Sequence, residues 1–250
     1  MPPVPEPTPA PAPTPEPAPA PTPEPSPAPT PTPTPAPAPP APDPDPAPAP
    51  TPPPSPSTAR YVVIFDSTWS AGSHPTDFPA SAHYSGLIGG THHAGVTFWR
   101  EGAPASEGIR RMAERGSKSP LDGEVNAAIG AGTAEHLLSG PSLGTSPAST
   151  SMEFDISTSH PLVTLVTMVA PSPDWFVGVS GLSLQSNGQW IDEIRVDQYA
   201  FDAGTDSGAS YESPDLETTP RQSIARLNGY PVASGGSVAP FGTFTFRRIR

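Results

Sequence analysis

The folded part of this chain predicts an all-β fold, an antiparallel β-sandwich, and three observations lead there. Short apolar runs separated by turn signals recur from Tyr61 to Ile249. Only two stretches, both short, carry helical signals. Finally, the roughly 190 residues that hold every Trp, Phe and Tyr suffice for one sizeable core and are too few for two.

In chain order, Tyr61-Val62-Val63-Ile64-Phe65-Asp66 is a β-branched and aromatic strand. Residues 67–95 lack clear periodicity and are expected as an ordered loop region with short elements. Val96-Thr97-Phe98-Trp99 is a short strand candidate. A first helix follows, with Ser106 as its cap, one apolar stripe of Ile109, Met112 and Ala113, and Gly116 as its stop. Ser119-Pro120-Leu121-Asp122 opens a second helix with a cap, a proline at the first position and an acid in capping-box place; it ends near Gly130. Both helices are placed in connections at the edge of the sandwich. Residues 139–150 read as loop. Met152 to Ile156 alternates, and Leu162 to Val169 is almost continuously apolar, as a central strand would be. Trp175–Leu184 and Trp190–Tyr199 are two further strands around the turn Ser186-Asn187-Gly188-Gln189. Phe244 to Ile249 alternates cleanly and closes the fold.

Residues 1–58 are a different material. They hold thirty of the forty-three prolines, and alternating proline removes every second backbone donor, so neither helix nor sheet can form. Polyproline II is the default for this disordered segment, at roughly 3.1 Å per residue; the functional reading is a stalk that carries the domain of residues 59–250 away from a surface, and the simpler one is a passive spacer. Of the net charge of −12, the five acids before Arg60 account for five, leaving nineteen acids against twelve bases in the domain. So acidic a domain is unsuited to a phosphate footprint, which argues against nucleic acid. Without cysteine there is no disulfide, thiolate site or cysteine nucleophile. No apolar run is long enough to span a membrane. Met1-Pro2-Pro3-Val4-Pro5 has no signal-peptide character, and the expectation is an exported protein whose leader is not part of this chain.

Two acidic loops carry the candidate chemistry. Asp202 and Asp206 lie four apart beside Gly204 and Gly208, and Asp174 precedes the strand before theirs. If the strands Trp175–Leu184 and Trp190–Tyr199 form an antiparallel hairpin, the three carboxylates meet at one edge. Loop carboxylates beside glycines are what a hard cation such as calcium needs, although Asp/Gly loops also serve as plain turns. His74, His83 and the His92-His93 pair suggest zinc only weakly, because adjacent strand residues point to opposite faces and no cysteine helps. No G-x-S-x-G elbow supports a serine hydrolase. Glu107 and Glu114 read as a solvated helix face. Trp69, Trp99, Trp175 and Trp190 read as core or loop anchors.

The stretch from Pro171 through Asp174-Trp175-Phe176-Val177-Gly178 to Gly181 resembles a signature of the spondin domain, an extracellular module. Asp202-Ala203-Gly204-Thr205-Asp206-Ser207-Gly208, followed by Tyr211-Glu212-Ser213-Pro214, is similar to the family's second signature. His74-Pro75, Asp77-Phe78-Pro79, Ser85, Ile88-Gly89, Trp99 and Ala105-Ser106-Glu107-Gly108 fall in the family's order. The resemblance implies a sandwich of about eight strands akin to calcium- and phospholipid-binding domains. It also implies one calcium ion (Ca2+) held by Asp174, Asp202 and Asp206. Animal members carry cysteines around the turn written here Ser186-Asn187-Gly188-Gln189, so their disulfides do not transfer.

The function expected is a secreted or cell-surface, calcium-binding recognition or adhesion module, monomeric and not an enzyme. Its partner would be a glycan, a matrix protein or an anionic lipid. A metal-assisted hydrolase using the loop carboxylates and a purely structural calcium-stapled domain are the alternatives.

Overall fold

A computed structural model describes residues 56–250, so nearly all of the expected proline-rich stalk lies outside the described residues. The first half of the domain comprises β1 (Thr58–Ser67), β2 (His83–Tyr84), β3 (Ile88–His92), α1 (Glu107–Arg115), α2 (Leu121–Gly130), β4 (Ala134–Ser139) and β5 (Ala148–Ser157). The second comprises β6 (Leu162–Ala170), β7 (Trp175–Ser183), β8 (Gln185–Ser186), β9 (Gln189–Trp190), β10 (Glu193–Gln198), β11 (Phe201–Asp202), β12 (Ala225–Arg226), β13 (Ala233–Ser234), β14 (Ser237–Val238) and β15 (Gly242–Arg248). Among the described residues eight strands reach five residues or more and the rest are two-residue pairs, which agrees with the expected strand number.

The long strands form two sheets whose pairings are all antiparallel. One has the order β10-β15-β1-β5; the other runs β12-β11-β7-β6-β3-β4, with β2 added beside β6. Tyr61, Val63 and Phe65 of β1 and Phe244 and Phe246 of β15 point inward against Val163, Leu165 and Val177 of the larger sheet. Each such fully buried side chain contributes about 1.5–3 kcal/mol relative to exposure. At one end of the smaller sheet, Arg60 N–H donates to Arg250 O at 2.8 Å and Ile249 N–H to Arg60 O at 2.8 Å, so β1 begins where β15 ends.

The helices lie in a connection, between β3 and β4, as expected, but they do not sit at an edge. Ile109, Met112 and Leu121 pack on Ile88, Val166 and Phe176, and cover the outer face of the larger sheet. This is why β6 reads as a continuous apolar run: Val163 and Leu165 face the other sheet, and Val166 and Met168 face the helices. Helix α1 is capped as its sequence predicts, with Ser106 Oγ accepting from Ile109 N–H at 3.2 Å and Gly116 in the left-handed conformation at its end. Glu124 of α2 completes that cap, accepting from Gly108 N–H at 2.7 Å and from Ser106 Oγ–H at 2.7 Å. The expected cap of α2 is not formed: the capping position falls on Pro120, with no side-chain bond, and Asp122 accepts from its own neighbour Gly123 instead. Val96–Trp99 is not a strand; Phe98 and Trp99 are buried within a loop.

The hairpin premise also fails. β7 belongs to the larger sheet and β10 to the smaller, and the hairpin between them is only β8 and β9, around Asn187 and Gly188 at φ 51° and 72°. The two acidic loops meet by another route. After β10 the chain returns to the larger sheet as β11, which sets Asp202 opposite Trp175 and Phe201 opposite Phe176.

Candidate functional site

Asp174 sits at the entry to β7, in a turn where Trp175 N–H donates to Ser172 Oγ at 3.0 Å. Its carbonyl accepts from Ala203 N–H at 3.1 Å, which ties the two loops by their backbones. Its side chain is fully buried. Oδ2 accepts from Thr205 N–H at 2.7 Å, Thr205 Oγ1–H at 3.1 Å and Asp206 N–H at 3.0 Å. Oδ1, equally buried, has no hydrogen-bond partner. An orphaned carboxylate oxygen is expensive to bury, and here it lies beside further acids.

Asp202 Oδ1 accepts from Gly204 N–H at 2.7 Å. Gly204 has φ 75°, and a Cβ there would lie 2.4 Å from Gln222 O, so only glycine lets the loop turn this tightly. The Trp175 indole N–H faces the Asp202 carboxylate without closing a hydrogen bond of ordinary geometry. Asp206 accepts at both oxygens, from Gly208 N–H at 2.8 Å and from Leu216 N–H at 2.9 Å. Asp202 and Asp206 share a hollow of about 210 Å³ with Ser207, Thr218 and Gln222.

The electrostatics follow from burial and like charge. Burial first, and the Asp202 carboxylate second, push Asp174 up to about 7, against the pull of its three donors. Burial also raises Asp202, opposed by the Gly204 N–H, and Asp206 adds its repulsion. The structure therefore brings together all three acids that the sequence singled out. It does not arrange them as a finished cage: among the described residues no group of three or more His, Asp or Glu side chains stands ready to hold a metal ion. The donor set still fits a hard cation, since it is all oxygen, mutually repelling, and includes one buried oxygen with nothing to bind.

The other candidates separate. His74 is buried with Nδ1 against Ser73 Oγ, and His83 Nδ1 pairs with Ser81 O at 2.6 Å. His92 is buried in a bond with Thr164 Oγ1 at 2.8 Å. His93 stacks on His160, a partner the sequence did not suggest. All four tryptophans are at least nine-tenths buried and act as anchors. Glu107 is exposed as expected, and pairs with Arg110, Arg111 and Arg221, whereas the Glu114 side chain is largely buried against Arg110. Thr205 lies within the second motif, but nothing in the motif says that its amide and hydroxyl both turn back to Asp174. Tyr211, buried between Trp69 and Trp175 at ring distances of 5.3 and 5.2 Å, was likewise unassigned.

Comparison with known proteins identifies the family of the chain. The Spondin_N family model matches residues 59–236. Spondin-2 of Rattus norvegicus is 33% identical over 205 residues, covering 77% of this chain and 62% of the relative. Spondin-2 of Homo sapiens is 33% identical over 196 residues, covering 77% and 58%. Spondin-1 of Gallus gallus is 35% identical over 209 residues, covering 77% of this chain but 26% of the relative. The chain thus spans about three-fifths of the Spondin-2 proteins and about a quarter of Spondin-1.

Proposed function

The chain belongs to the Spondin_N family, and from that premise we propose that it is an extracellular, non-catalytic recognition module stabilised by calcium at Asp174, Asp202 and Asp206. The observation that carries the metal is the buried, unpartnered Oδ1 of Asp174 beside two further carboxylates. When bound, the ion supplies the positive charge that this cluster lacks. Asp202 and Asp206 contribute oxygens from the loop that follows β11, and Asp174 anchors that loop through Thr205 and Asp206. Secretion or surface display rests on the spondin resemblance. Within it, the partner is a glycan, a matrix protein or an anionic lipid. The activities of the longer relatives are not carried over, because this chain matches only part of them.

Melting the protein in excess calcium and in chelator tests the metal. A ligand held only by the native state stabilises by about 2.7 kcal/mol at a hundredfold excess over its dissociation constant, so Tm rises with calcium. Asp174→Asn and Asp202→Asn abolish the rise. Identical curves with and without chelator would sink the reading.

A purely structural, calcium-stapled domain is a second reading. It is favoured by the extent to which Asp174 Oδ2 and both Asp206 oxygens already serve loop backbone. A glycan and lipid array, run with and without calcium, separates the two: calcium-dependent capture supports recognition, and a blank array on folded, calcium-loaded protein supports the staple. A hydrolase is disfavoured because neither hollow that Asp206 lines, about 210 Å³ and about 260 Å³, reaches the roughly 300 Å³ at which small-molecule sites begin.

A further inference from the structure

Asp206 does more than line the acidic cluster. Its bond from Leu216 N–H at 2.9 Å closes a strap of chain, residues 207–216, at the neck. Ser207 N–H donates to Leu216 O at 2.8 Å, Ser207 Oγ lies 2.6 Å from Thr218 Oγ1, and Thr218 N–H donates to Thr205 O at 2.9 Å. The base of the strap is gripped by Asp174, whose Oδ2 accepts from Thr205 and Asp206 N–H. One member of the acidic cluster therefore holds the base and another the neck. Inside the strap Tyr211 is sunk between Trp69 and Trp175. At the neck Leu216 is 59% exposed, with Asp215 and Glu217 exposed on either side.

We infer that cation occupancy at this cluster sets the order of the strap, tightening residues 207–216 and the neck at Thr218 when the site is filled and loosening them when it is emptied. This rests on the calcium reading. The carboxylates that must hold the strap are the same ones that repel each other, so without a cation each gain in strap bonding is opposed by like charge. A carboxylate has about four lone-pair positions, so Asp206 can keep both N–H donors and still offer an oxygen to a metal. Neutralising the cluster removes the opposition and leaves the strap bonds in place. Linkage then works in reverse: a closed neck favours the cation by the factor by which the cation favours the closed neck.

The test uses the full chain, calcium chloride, calorimetry and hydrogen–deuterium exchange. Calcium is expected to slow exchange in peptides covering Leu216 and Thr218 by roughly fivefold or more. Leu216→Pro removes the N–H that Asp206 accepts and leaves every carboxylate in place; its calcium affinity is expected to fall by a similar factor. Leu216→Ala keeps the N–H and is expected to bind as the parent does. Calcium that binds while strap exchange stays unchanged, with Leu216→Pro binding normally, overturns the inference and leaves the metal reading intact. No calcium binding at all overturns both. The exchange measurement on the unsubstituted chain decides the matter even if Leu216→Pro fails to fold.

Discussion

The outer face of the β10-β15-β1-β5 sheet is open to solvent, whereas that of the larger sheet lies beneath α1 and α2. On the open face, residues brought side by side by the register are mixed: Glu193, Arg247, Val62 and Glu153 form one row, and Asp197, Thr243, Asp66 and Ser149 another. On the covered face Val166, Met168 and Phe176 meet Ile109 and Met112, and a second core forms. The contrast teaches that a strand's hydrophobic pattern reports how many of its faces are covered. β15 alternates through Phe244, Thr245, Phe246 and Arg247 because one face is wet; β6 does not alternate because neither of its faces is wet.

The comparison can be broken most sharply by placing the same charge on each side. Val166→Asp buries a carboxylate between β6 and the helices and is expected to cost about 4 kcal/mol or more. Val62→Asp, on the open face, is expected to stay within about 1 kcal/mol. Urea-unfolding midpoints read both, and equal losses would show that the helices do not seal that face. Next, Met112→Ala empties space under α1 and should cost about 2–5 kcal/mol, with Ile64→Ala on the open face costing clearly less in the same assay. A smaller effect is expected from Glu124→Ala, which leaves Gly108 N–H without its acceptor, at about 1–2 kcal/mol. Its thermal shift should exceed that of Glu153→Ala; a reversal would mean that the trans cap is idle. Smallest is Glu153→Ala itself, which removes one exposed partner of Arg60 and is expected to change stability by no more than about 0.5 kcal/mol.

Much of this was legible in the sequence, and the failures have physical causes. Ser106, Ile109, Met112 and Gly116 marked α1 because cap, stripe and stop are local signals. The pattern showed that α1 has an apolar face but not what that face meets, so its docking on the larger sheet was misplaced. β3 was invisible for a different reason. It is the wholly buried strand Ile88–His92, yet it contains two glycines, which normally weaken a strand. A Cβ on Gly89 would lie 2.0 Å from Thr164 O, so close strand approach demands the residue that hides the strand. At the candidate site, motif and spacing single out Asp174, Asp202 and Asp206, which the structure places in adjoining loops, while the hairpin invoked to join them is not formed. The short crossing between sheets at β8 and β9 and the two-residue return at β11 carry too few residues to show a period. The strap contacts of Asp206 with Leu216 were out of reach because they depend on a neck that only the folded loop creates.

The adjacency of Arg60 with Ile249 and Arg250 has a mechanical consequence. β1 and β15 are antiparallel neighbours that leave the domain at the same end. Tension applied between those two exits would load the Arg60 bonds to Arg250 and Ile249 first and then those from Tyr61–Arg248 onward, one after another, as in peeling, not all at once in shear. A domain tethered through both exits would therefore yield at low force, starting from its most exposed rung, while one tethered through the N-terminal exit alone would carry no load across its core.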